Sequence, residues 1–149
     1  MPFDPDSLDH QRTRSVARWL LAVALILVGI AHLTAQRQEF QAQVPDWIPV
    51  DDDVVVVASG LVEIALGAAL VAVPRRRVAV GLIAAGFFVV IFPGNIAQYL
   101  EGTDAFGLDT DAKRLARLFF QPVLVIWALW STGASGALAR WSRDRREGN

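Results

Sequence analysis

Apolar residues fall into four runs of about 20, Val16 to Thr34, Val54 to Val73, Val78 to Leu100 and Leu118 to Leu138, divided by short polar stretches. Each run is close to the length of helix that spans a bilayer core. Lipid offers the backbone no water to bond, so each run predicts a helix, and four segments cannot close a barrel. The pattern therefore predicts an all-α integral membrane four-helix bundle, a single domain over residues 1–149 with helices near 16–34, 54–73, 78–100 and 114–138. Pro74 and Arg75 to Arg77 predict a tight turn that makes the second and third helices antiparallel neighbours. Met1 to His10, acidic and Pro-containing, reads as a loose tail. The first loop, Ala35 to Asp53, predicts a short interfacial helix around Phe40 followed by a stiff flap carrying Pro45, Trp47 and Pro49.

Composition agrees with the pattern: 54% of residues are hydrophobic, and the mean hydropathy is +0.39, above the range of ordinary soluble domains. Charge adds an orientation. Arg12, Arg14 and Arg18 precede the first run, Arg75 to Arg77 separate the second and third, and Arg140, Arg143, Arg145 and Arg146 follow the fourth. The other two loops are acidic, with Glu39, Asp46 and Asp51 to Asp53 in one and Glu101, Asp104, Asp109 and Asp111 in the other. The positive-inside bias predicts both termini in the cytoplasm, the Pro-containing loop outside, and a multi-pass plasma-membrane protein. Basic residues leading into Val16 imitate a secretory signal, but the run is long enough to span and three more follow. A net charge of -1 gives no reason to expect nucleic acid. The chain has no cysteine, which removes thiol–disulfide exchange and iron–sulfur ligation as chemistry of its own residues.

Five polar residues lie inside the apolar runs: His32, Glu63, Asn95, Gln98 and Gln121. Such groups persist at membrane depth where they face protein, water or a ligand. Counted inward at about 1.5 Å per residue, His32 and Gln121 lie roughly 4 to 5 Å deep, Asn95 roughly 7 to 8 Å and Glu63 roughly 13 Å. All fall in the outer half, which predicts a shared polar pocket open outward. Glu63 emerges from a strip of small residues, Gly60 and Gly67, that lets another helix approach closely. Its charge needs a cation or several donors, and His32 and Arg117 are the candidates. Arg117, with Arg114 three residues before it and Gln121 four after, makes a polar stripe down the fourth helix. Pro93 and Pro122 each free a carbonyl at pocket depth, those of Val89 and Leu118. The pocket candidates are thus His32, Glu63, Asn95, Gln98, Arg117 and Gln121. Each also has a packing reading, the amides as interhelical glue and the histidine as an interfacial residue. No metal site is expected, because His32 and Glu63 alone, at different depths, make a poor ligand set.

With these residues in place, the chain resembles the DoxX-like family of small four-helix membrane proteins. The resemblance runs through Gly29-Ile30-Ala31-His32, Val44-Pro45 with Ile48-Pro49, Gly60-Leu61-Val62-Glu63 with Gly67, Pro93 to Asn95, and Arg117 with Gln121. Gly94 stands where the family pattern often has alanine. The resemblance implies a redox-associated role, such as membrane subunit of a quinone-reducing oxidoreductase or a scaffold between redox enzymes, and in distant members a chaperone role. Three functions follow as expectations. The first is an accessory subunit whose outer pocket binds a lipophilic molecule such as a quinone, with electrons supplied by a partner. The second is a scaffold or assembly subunit, in which the polar cluster sets helix packing. The third is a proton-coupled exporter using Glu63, disfavoured by the wholly apolar inner half. Expected partners are the lipid bilayer, a redox enzyme and a second copy of the chain.

Overall fold

The structure is a computed structural model that describes residues 5–147. In chain order it runs α1 (Pro5–Leu33), α2 (Arg37–Gln41), α3 (Asp52–Ala72), a 3-10 turn (Pro74–Arg76), α4 (Arg77–Glu101), α5 (Asp111–Thr132) and α6 (Ala134–Glu147). Among the described residues there is no strand. Four helical stretches among the described residues are long and apolar enough to cross a membrane: Asp9–Leu33, Asp52–Ala72, Pro74–Glu101 and Asp111–Thr132.

Local chemistry sets the ends. Asp51 caps α3, its Oδ1 accepting from the backbone N–H of Asp53 at 3.0 Å and more weakly from Val54, and Thr110 caps α5 through Lys113 N–H. At the far end of α5, Gly133 adopts φ +82°, a left-handed conformation that L side chains resist, and the helix stops. The fourth span therefore ends at Thr132, not near Leu138, and the remaining residues form the separate basic helix α6. The expected loose N-terminal tail is corrected as well. From Pro5 onward the chain is already helical, and only Met1 to Asp4 of that tail lie outside the described residues.

Pairwise contacts give the topology. A Cβ on Gly29 would meet the Gly60 carbonyl oxygen at 2.6 Å, and one on Gly67 the Ala22 carbonyl at 2.7 Å, so α1 and α3 run antiparallel with their backbones nearly touching. Asn95 bonds Gln121 while Gly81 abuts Thr132, which makes α4 and α5 antiparallel. Arg14 and Ala17 on α1 bond Trp130 and Trp127 on α5 in the same reversed sense. The loops 34–51 and 102–110 thus share one end of the bundle, and the start of α1, the 3-10 turn and α6 share the other. α3 and α4, expected as close neighbours across the turn, touch over much less of their length than α1 with α3 or α4 with α5.

The core is small and apolar, with Leu21, Ala22 and Leu25 of α1, Leu66 and Leu70 of α3, Ala84, Ala85 and Phe88 of α4, and Ala128 of α5. Large apolar side chains cover the outside: Val90 is 75% exposed, Phe119 71% and Ile126 65%. A water-facing surface of that kind is an aggregation hazard, while against lipid it is the ordinary arrangement. The class defined by the fold is a helical, multi-pass membrane protein.

Candidate functional site

A cavity of about 630 Å³ opens between the α1–α3 and α4–α5 pairs. Its polar lining gathers at the loop end: His32, Gln43, Glu63, Asn95, Arg117 and Gln121. Further in it is apolar, reaching Leu21, Leu25, Leu124 and Trp127. From His32 to Leu21 is eleven residues of α1, roughly 16 Å, so the cavity runs deeper than a pocket confined to the outer half.

His32 and Glu63 meet at its polar end. The His32 Nδ1 lies 3.1 Å from Glu63 Oε2 and 2.9 Å from the Val28 carbonyl oxygen one turn back. A carbonyl can only accept, so Nδ1 carries a hydrogen and directs it to Val28. Glu63 Oε2 consequently has no hydrogen-bond donor, although it is buried. A buried polar atom without a partner costs about 1–3 kcal/mol, and this one belongs to a residue that is 4% exposed. The depth difference expected between these residues disappears because the helices end at different levels. His32 and Leu33 stand beside Gly60, and α3 continues eight residues further, roughly 12 Å, so α1 stops well below the top of its partner.

The residues between α1 and α3 fold over that step. Phe40 of α2 stacks on the His32 ring with centroids 3.4 Å apart, and Phe106 from the second loop meets Phe40 edge-on at 4.6 Å. Phe106 has φ +55°, a conformation bulky residues rarely adopt. It is held there by its N–H donating to Glu39 Oε2 at 2.6 Å. Arg117 lies 5.2 Å over the Phe106 ring and donates to Gln43 Oε1 at 2.7 Å. That bond orients the Gln43 amide, whose Nε2 is buried without an acceptor. Outside this roof, Asp53 accepts from Arg37 Nε at 2.5 Å and from Gln41 at 2.7 Å. The same carboxylate raises the affinity of the Arg37 guanidinium for its proton above the ordinary arginine value.

The remaining candidates divide. Asn95 Nδ2 donates to Gln121 Oε1 at 2.9 Å, and Gln121 Nε2 donates to the Phe88 carbonyl at 2.6 Å. These amides line the cavity but bond each other and the backbone one residue before the carbonyl that Pro93 frees, leaving the Asn95 Oδ1 without a bond. Gln98 does not line the cavity. It is buried at the end of α4, where its own carbonyl accepts from Gly102 and Thr103 N–H and its amide reaches the Thr103 carbonyl at 3.4 Å. The expected stripe on α5 splits too, since Arg114 turns away to Asp104, to Asp111 at 2.8 Å and to Thr103. It is His32, not Arg117, that stands beside Glu63. Of the flap, Pro45 and Trp47 border the cavity, while Pro49 is exposed and lies outside it. Among the described residues, no group of three or more His, Asp or Glu is placed to hold a metal ion.

Three contributors escaped the sequence reading: Gln43, Phe106 and the stacking role of Phe40. Phe40 was visible as the one aromatic in a polar stretch. Gln43 and Phe106 reach the site only through the way two distant loops meet.

This arrangement, in a membrane-spanning helical bundle, belongs to a known sequence family. Residues 21–132 match the model of the family described as Domain of unknown function (DUF8561), and the chain belongs to that family. No curated protein and no solved structure matches the chain.

Proposed function

We propose that this protein is a DoxX-like, redox-associated accessory subunit of the plasma membrane. In this reading both termini are cytoplasmic and the cavity holds a lipophilic ligand with a compact polar head, such as a quinone. The observation that carries the reading is the carboxyl oxygen of Glu63, buried and without a donor, at the polar end of a cavity whose far end is apolar. A head-and-tail molecule fits that division. A hydroxyl of the head, as in the reduced quinol, donates to Glu63, an oxygen of the head accepts from the Gln43 amide, and the tail runs along Leu25 and Leu124. A quinone so held supplies two-electron chemistry, with the electrons coming from a partner enzyme. The chain's own contribution is to exclude water, orient the head, and offer the Glu63 carboxyl as a proton-exchanging group beside the His32 ring.

A scaffold reading is favoured by one observation, the Asn95–Gln121–Phe88 chain, whose hydrogen bonds join α4 to α5. Mass spectrometry of small molecules retained by gently extracted native protein separates the two. We expect a quinone or related lipid in the wild type and its loss in Glu63→Gln. Identical, ligand-free preparations that keep the same partner proteins would establish the scaffold reading instead.

A further inference from the structure

Three basic residues open α5 at the acidic loop end of the bundle, and the structure neutralises two of them. Arg114 is buried against Asp104 and Asp111, and Lys113 pairs with Asp109 at 2.6 Å while also reaching the Gly107 carbonyl at 3.2 Å. Among the described residues no carboxylate pairs with Arg117. It donates to the neutral Gln43 amide at 2.7 Å and lies over the Phe106 ring at 5.2 Å. Arg117 is half-buried, where Arg114 is closed off, and it borders two cavities. One is the large cavity that holds Glu63. The other, shallow and about 450 Å³, opens on the outside of α5. Lys113, Ala116, Arg117 and Phe120 line it from α5, and their spacings of three and four residues make them one stripe of the helix. Phe106 and Leu108 border it from the loop.

We infer that this outer cavity binds an anionic phospholipid, with the phosphate on Arg117 and Lys113 and the start of an acyl chain on Phe120. Along the stripe the cations come first and Phe120 last, the order of head and chain. Phe119 and Val123, 71% and 50% exposed, continue the apolar surface into the span. A free anion would use the cations but not that surface. Asp111 begins the fourth span, so Lys113 and Arg117 fall within its first two turns, at headgroup level, and Arg117 keeps its guanidinium there on an apolar stem. Gln43 takes one guanidinium N–H, and the others meet phosphate oxygens two at a time. Asp109 offsets the charge of Lys113, so Arg117 supplies most of the attraction. The site does not rest on the Glu63 reading and needs only that the helices lie in a bilayer.

The test titrates the full chain in a non-ionic detergent with phosphatidylglycerol or phosphatidylcholine and measures protein-bound lipid by mass spectrometry. Wild type should bind phosphatidylglycerol saturably and phosphatidylcholine weakly. Arg117→Gln should weaken phosphatidylglycerol binding about tenfold, the loss of hydrogen bonds to a charged group. Lys113→Met, a change at an exposed side chain that keeps the test open if the first variant folds poorly, should weaken it about threefold. Arg75→Gln, exposed at the other end of the bundle, should bind like wild type. Equal binding of the two lipids, wild-type affinity in both Arg117→Gln and Lys113→Met, or an equal loss in Arg75→Gln overturns the site. Displacement of the lipid by inorganic phosphate, and not by chloride at the same ionic strength, overturns the lipid assignment in favour of a free anion.

Discussion

The two helix pairs of this bundle are joined by different forces. Along α1 and α3 the seam is glycine, with Gly29, Gly60 and Gly67 letting backbones come within van der Waals contact. Along α4 and α5 it includes hydrogen-bonded amides, Asn95 to Gln121 and Gln121 to the Phe88 carbonyl. The difference separates site from scaffold. Amides that hold a seam have most of their polar atoms engaged by it and less left for a ligand. A seam held by packing needs no donors, so it can carry a carboxyl group whose oxygen stays unmet. Glu63 is on the packed seam, and the cavity lies between the two.

Four substitutions test that division, ordered by expected effect on stability. Gly29→Ala should be the most damaging, because the new Cβ meets a backbone oxygen at 2.6 Å that cannot rotate away. A loss of about 3 kcal/mol, at the upper end of the usual cost of overpacking, is expected in a detergent unfolding titration. Gln121→Leu should cost about 1–3 kcal/mol, since it strands the buried Asn95 amide and removes a second bond to the Phe88 carbonyl; ligand retention should survive in the fraction that folds. Glu63→Gln should behave in the opposite way. Removing a buried acid that lacks a donor should leave stability unchanged or raise it by about 1 kcal/mol, while the retained ligand is lost. A destabilised Glu63→Gln would mean that the carboxyl belongs to the scaffold. Lys113→Met should have the smallest effect, confined to the loop end. The ammonium, 2.6 Å from Asp109, holds that carboxyl below the usual aspartate range. Its small contribution is present above the ordinary aspartate pKa and is lost as pH falls through the depressed one. The melting-temperature gap between wild type and variant should therefore close on acidification.

Much of the division was legible in the chain itself. Spans follow from hydropathy, and the spacing of Gly60, Glu63 and Gly67 puts the carboxyl on the face that another helix approaches. Helical periodicity carries that information locally. What it does not carry is how far each helix extends relative to its partner, which is why counting inward separated His32 and Glu63 although they lie 3.1 Å apart. Asn95 and Gln98 share a helix face by spacing, yet one lines the cavity while the other is used in closing the turn at Gly102. The stop at Gly133 had a readable signal, a glycine directly after the last apolar turn, outweighed by the apolar residues beyond it. Gln43 and Phe106 had none, because their roles arise from the meeting of loops more than 60 residues apart, through contacts such as Glu39 to Phe106.

The central claim is that Glu63 marks a ligand site and the amides across the cavity do not. Tryptophan fluorescence offers the most direct measurement, since Trp47 and Trp127 both border the cavity and a short-chain quinone quenches nearby indoles. Titrated into the full chain in lipid nanodiscs under reducing conditions, as the quinol whose hydroxyl can donate to Glu63, the ligand should quench wild type saturably, with affinity about tenfold weaker in Glu63→Gln, the loss of one hydrogen bond to a charged group. Non-saturating quenching, or the same affinity in both proteins, would contradict the account.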